Sequence, residues 1–210
     1  MRILTLPVMA SALAVASILP VVQMHAQPGA SAHTAVSPED PLRFRAFGIN
    51  MQGGRTGTID IAIERWSSDE ERALLLDKVA GTTQKRSDQD KLVQSLQAIK
   101  PRAGYMNTPG SLGWDIKYAR ENRMADGTRQ IVVVTDKPVS FFAARNSTRS
   151  MDYPFTLIEI RFAPGSHTGE GKLLAQTSIS ARDNQLQLEL YGQEATRLTQ
   201  VTQQKQKGQP

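Results

Sequence analysis

The stretch "TGTIDIAIERWSSDEERALLLDKVAG", from Thr56 to Gly81, carries two hydrophobic periods in succession. Ile59, Ile61 and Ile63 alternate with Asp60, Ala62 and Glu64, which is the period-2 pattern of a half-buried strand. Past Trp66 the alternation stops. Ser67 and Ser68 each have a glutamate three residues on, so either can close a capping box over the first free amides of a helix. Asp69, Glu70 and Glu71 follow where the helix dipole favours negative charge, and Gly81 is a natural stop. A second helical stretch, "SDQDKLVQSLQAIKP", repeats the design. Ser87 is its expected cap, Leu92, Val93, Leu96 and Ile99 form its apolar stripe, and Pro101 ends it.

Outward from this strand-to-helix boundary, the remaining signals are strands. "RFRAFGIN" precedes it, joined by "MQGGRTG", whose glycines suit a hairpin. "WDIKYA" places Trp114, Ile116 and Tyr118 on one face, and Asp126-Gly127 marks a turn into "QIVVVTD". "VSFFAAR", "YPFTLIEIRF", "KLLAQTSIS", "NQLQLELY" and a short strand at Leu198 to Val201 complete the series. Ile131 to Val134 and Phe155 to Phe162 are apolar on both faces, so they are expected to be central and covered on one side by the helices or by a second sheet layer. Strands enclosing a single helical pair, without strand-helix alternation, predict an α+β fold. The expected architecture is a mostly antiparallel, strongly curved sheet, either a sandwich or an incomplete barrel, with a two-helix hairpin packed on it.

The chain ends read differently from its middle. Arg2 followed by an uncharged apolar run from Ile3 to Val22 and then small residues is the pattern of a secretory signal peptide. Cleavage is expected after Ala26, leaving Gln27, with Ala32 as a second candidate. The domain reading is a signal peptide over 1–26, a disordered Pro/Ala/Ser-rich linker over 27–41, one α+β domain over 42–202 and a disordered polar tail over 203–210. The protein is then periplasmic or secreted, with no membrane span after cleavage. Removing Arg2 from the 25 Lys plus Arg leaves 24 against 20 acids. These positive charges are dispersed and lack the aromatic-interleaved runs that track nucleic acid, so no nucleic-acid partner is expected. The absence of cysteine excludes disulfides and thiol chemistry, and stability must come from the core. With three histidines and no cysteine, neither a metal centre nor a cofactor is indicated.

"NTPGSLGW", from Asn107 to Trp114, puts Ser111 between glycines, as a hydrolase nucleophile elbow does. The elbow needs glycine two residues before its serine; here that residue is Pro109, and a strand rather than a helix follows. The segment reads as a turn. Asp60 and Glu64 share a strand face, but four residues of strand separate them by ~13 Å, beyond the ~5 to 9.5 Å of glycosidase carboxyl pairs. Glu159 interrupts "TLIEIRF" and needs a partner, for which Arg161 on the same face is the nearest candidate.

Four strings, "IERWSSDEER", "GYMNTPGSLGWDIKYA", "VVTDKPVSFF" and "SMDYPFTLIEIRF", together resemble a family of small secreted bacterial proteins of unknown function. The resemblance spans about Arg43 to Val201. It implies export and a single domain and carries no activity, ligand or catalytic residue. Two functional readings follow. The favoured one is a non-catalytic exported module that binds a small apolar ligand or an envelope protein, with Trp66, Tyr105, Trp114, Tyr118, Phe141 and Phe142 lining a concave sheet. The alternative is a carboxylate-dependent hydrolase using Glu159 with Asp60 or Glu64.

Overall fold

The computed structural model describes residues 36–51, 54–139, 152–182, 185–190 and 194–205. The proposed signal peptide, Phe141, Phe142 and the last five residues of the tail lie outside these. Nine strands and two helices follow in the order β1 (Leu42–Asn50), β2 (Arg55–Ile63), α1 (Asp69–Ala80), α2 (Arg86–Ala98), β3 (Gly104–Asn107), β4 (Trp114–Arg123), β5 (Arg129–Thr135), β6 (Phe155–Phe162), β7 (Thr168–Arg182), β8 (Gln185–Leu190) and β9 (Thr196–Gln203). Every strand pairing is antiparallel. Strands pair in the order β6-β5-β4-β3-β2-β1-β9-β7, and β6 also pairs with β7, so the sheet closes into an eight-stranded barrel. The expected curved sheet is therefore closed all the way round, and closure removes the open edges that a curved sheet would present.

Alternation decides what fills the barrel. On β1, Leu42, Phe44 and Ala46 are buried while Arg43, Arg45 and Phe47 are exposed. Ile59, Ile61 and Ile63 do the same on β2, as their spacing predicts. Ile131, Val133, Ile158, Ile160, Leu173 and Leu198 join them in one buried cluster. Eight strands enclose an interior just wide enough for side chains to fill. Each fully buried Ile, Leu or Phe is worth about 1.5–3 kcal/mol, and in a chain without cysteine this cluster supplies the stability.

The helices cover the outer face of β4 to β7. Val79, Leu92, Leu96 and Ile99 pack on Tyr118, Val134, Leu157 and Ile179, forming a second core outside the barrel. Ser68 is the N-cap of α1, closing the capping box with Glu71. Ser67 is engaged elsewhere: its hydroxyl accepts from the Ala119 amide at 3.1 Å and ties the connection to β4. α2 begins at Arg86 rather than after Ser87. The reason is Asp88, which accepts from both the amide and the hydroxyl of Thr83 and so winds the chain earlier.

Three further features depart from the expectations. A register shift between Ile116 and Tyr118 turns Tyr118 out under the helices while Ile116 stays inside. Such a bulge reverses the face of every residue beyond it. The second feature lies in the connection before β1, where Val36 packs on the barrel core, so the end of the expected linker belongs to the domain. At the other end, β9 runs on to Gln203.

β7 outruns the barrel, and its last residues pair with β8 to form an arm over the helices. There Gln89, fully buried on α2, uses its side-chain amide as a surrogate strand. It accepts from the Ile179 amide at 2.9 Å and donates to the Ile179 carbonyl at 2.8 Å.

Candidate functional site

Of the aromatics singled out from the sequence, Phe141 and Phe142 lie outside the described residues, and the other four do not share one lining. Trp66 and Trp114 are half-buried and pack on the barrel core. Tyr118 lies under the helices, where burial pushes its phenol pKa up. Tyr105 is on the outer wall, with the Arg102 guanidinium 5.2 Å above its ring. Tyr105 and Trp114 do share a shallow recess of about 180 Å³ with Arg102, Leu112, Gly113 and Asp115. Its charges are paired off: Arg102 binds Glu64 through two hydrogen bonds and Asp115 through a third. Leu112 projects fully into solvent from the turn beside it. Ser111 holds that turn shut, its hydroxyl accepting from the Thr108 amide at 3.0 Å and donating to the Thr108 carbonyl at 2.8 Å.

The three carboxylates of the hydrolase reading are also kept apart. Asp60 is bound by Arg45 at 2.7 Å, and Glu64 by Arg102. Glu159 accepts from Arg161 Nε at 2.7 Å and from the Gln130 side chain at 2.6 Å. Ile158 and Ile160 face the interior, so Glu159 faces outward, as Asp60 does between Ile59 and Ile61. β2 and β6 are four strands apart in either direction round the ring. Asp60 and Glu159 thus stand on opposite outer walls and cannot act on one bond. With Glu159 about one-fifth exposed and Arg161 about half exposed, Glu159→Gln is expected to cost no more than about 1 kcal/mol in a urea melt, as for a solvent-exposed pair.

Sequence reasoning passed over the charged pair at one end of the barrel. The bulge in β4 turns Glu121 inward, where it is 2% exposed. Arg129, at the start of β5, meets it with Nε 2.8 Å from Oε1. The Arg129 guanidinium lies 5.7 Å from the Phe44 ring centre and 5.6 Å from that of Phe162, against a pair of rings whose own centres are 5.9 Å apart. Nη1 donates to Gln203 of β9 at 2.7 Å. Nη2 is buried and makes no hydrogen bond among the described residues; the same holds for Nε, whose contact with Glu121 is ionic, and for Glu121 Oε2. A signal for Glu121 was present: its partner across the hairpin that turns at Asp126-Gly127 is Ile131, a core residue.

Above this pair opens a recess of about 320 Å³, whose wall includes Arg123, Phe162, Pro164, His167 and Lys205. Two turns frame it. The β4–β5 turn closes with the Gly127 amide on the Met124 carbonyl, and the β6–β7 turn with the Ser166 amide on the Ala163 carbonyl. Gly127 has φ +83°, and a Cβ there would press on Pro164, so this glycine lets the two turns meet. Asp126 is occupied at the turn, and the Thr128 amide holds its carboxyl below the usual range. Arg123, Arg129 and Lys205 against Glu121 leave the mouth with positive charge, and Arg123 lies 3.9 Å from the Glu121 carboxylate. No group of three or more potential metal ligands occurs among the described residues. Comparison of the chain with protein-family models, with curated proteins and with solved structures finds no match.

Proposed function

We propose that this is an exported, non-catalytic binding module whose ligand sits at the mouth of the barrel. The observation that carries the reading is the buried Arg129 Nη2, a charged donor without an acceptor beside an open recess. A buried donor left unmade costs about 1–3 kcal/mol, more when charged, and a ligand oxygen would remove that cost. The barrel interior is filled by side chains, so a small apolar ligand has no seat there of the kind a larger barrel provides. No helix among the described residues is long and apolar enough to cross a membrane. Export rests on the charged, then apolar, then small-residue pattern of the first 26 residues.

A second reading, docking of an envelope protein, is favoured by one feature. The turn clamped by Ser111 holds Leu112 fully in solvent beside Trp114 and Tyr105.

Native mass spectrometry of the protein recovered from the periplasm or medium of a Gram-negative host tests the first reading. The expected species begins at Gln27 or His33 and carries a non-covalent adduct. Ala163→Trp, placed on the exposed wall of the recess, should lose that adduct. Full-length chain in the membrane fraction would refute export, and an adduct that survives Ala163→Trp would refute the seat.

A further inference from the structure

Resting on the reading of the mouth as the binding seat, we propose that it is an oxyanion site. It takes a small molecule through a carboxylate or phosphate group docked on Arg129 Nη2, with Arg123 as the second cation. Arg129 keeps donors in reserve. Its Nε lies 2.8 Å from Glu121, one N–H of Nη1 is given to Gln203, and Phe44 and Phe162 stand together beside the guanidinium. Nη2 makes no hydrogen bond among the described residues, and the guanidinium fork matches a planar or tetrahedral oxyanion better than a lysine would.

The charge count selects an anion as well. Glu121 neutralises one guanidinium from beneath, while Arg123 at the rim and Lys205 on the β9 side add positive charge without a carboxylate of their own in the recess wall. His167 adds a further donor on the opposite turn. Phe162 and Pro164 supply an apolar wall, so the body of the ligand need not be charged. A recess of about 320 Å³ is at the small end of ordinary ligand sites, which start near ~300 Å³.

Amide-resolved NMR titration of the mature chain with benzoate, inorganic phosphate, benzyl alcohol and benzylamine decides the matter. The expected result is saturable shifts with benzoate or phosphate at the amides of Arg123, Gly127, Gly165 to His167 and Gln203 to Lys205, and none with the two non-anionic probes. The benzoate and phosphate arms separate a carboxylate ligand from a phosphate ligand. Arg129→Lys keeps a cation against Glu121 but removes the fork, and should weaken the preferred anion about tenfold or more. Arg123→Gln, at an exposed position that does not burden folding, should weaken it several-fold. Equal shifts from benzyl alcohol or benzylamine would overturn the oxyanion assignment and leave the mouth as a seat. Shifts from no probe, or only away from the mouth, would overturn both. An Arg129→Lys protein that titrates like the wild type would remove Arg129 from the site.

Discussion

Glu121→Gln will destabilise the protein by about 3–5 kcal/mol, the cost of breaking a buried ion pair by changing one partner. The substitution is nearly isosteric, so it leaves no cavity. What it leaves is Arg129, only 17% exposed at its side chain, beside two phenyl rings without its counter-charge. Against the ~5–15 kcal/mol that holds a domain together, this is enough to bring the barrel near its unfolding limit. A double variant, Glu121→Leu with Arg129→Met, separates charge from packing. It should recover most of the loss, because a well-packed apolar pair often equals or exceeds a buried ionic one. Urea melts of the three proteins at neutral pH measure this. A Glu121→Gln protein within 1 kcal/mol of wild type would show that water reaches the pair.

Gly104→Ala will cost at least ~3 kcal/mol, at or above the upper end of ordinary overpacking. Gly104 faces into the barrel between Ile63 of β2 and Ile116 of β4. A Cβ there would fall well inside van der Waals contact with the Ala62 carbonyl oxygen. That oxygen is backbone and cannot swing aside, so relief requires β2 and β3 to separate where β3 is only four residues long. Gly81→Ala is the matched control. Its added Cβ has no neighbour nearer than 4.0 Å and its φ is −94°, so that substitution should be neutral or stabilise by ~0.4–1 kcal/mol. Circular dichroism at 222 nm with urea titration reads both. Equal midpoints for the two variants would mean that the β2–β3 contact is looser than the register indicates.

The parts of the fold that were legible in the sequence are those decided by neighbours a few residues apart. The change of period at Trp66 and the Ser68–Glu71 box are local, and both hold. The antiparallel pairing of strands adjacent in sequence, expected as a mostly antiparallel sheet, follows for the same reason. Closure was not legible, because it depends on β1 meeting β9, and nothing in "RFRAFGIN" names a partner about 150 residues away. The four residues of β3 are too few for alternation to register. In β4 the bulge moved Tyr118 outward, away from the face of Ile116 that a strict period of two gave it, and turned Glu121, which drew no notice in the sequence, inward. That single shift hid the candidate site, since "RENR" reads as the solvated end of a strand. The aromatics chosen instead were sound as packing residues: Trp66 and Trp114 pack on the barrel core and Tyr118 under the helices.

The pairing of β1 with β9 also sets a timetable. Seven of the barrel strands can zip to their neighbours as the chain emerges, but the ring has a gap until Thr196 to Gln203 is present. At synthesis rates of ~5–20 residues per second, the interval between β1 and β9 is on the order of ten seconds. Throughout it β1 presents an edge that only β9 can satisfy, and β7 adds a second once it has emerged. The same strand brings Gln203 to Arg129, so the mouth is completed in the step that seals the barrel. A chain that stops short of Thr196 is therefore both an unsealed sheet and a barrel without its finished mouth, and a cell that degrades open-edged sheets would never see the mouth half-built.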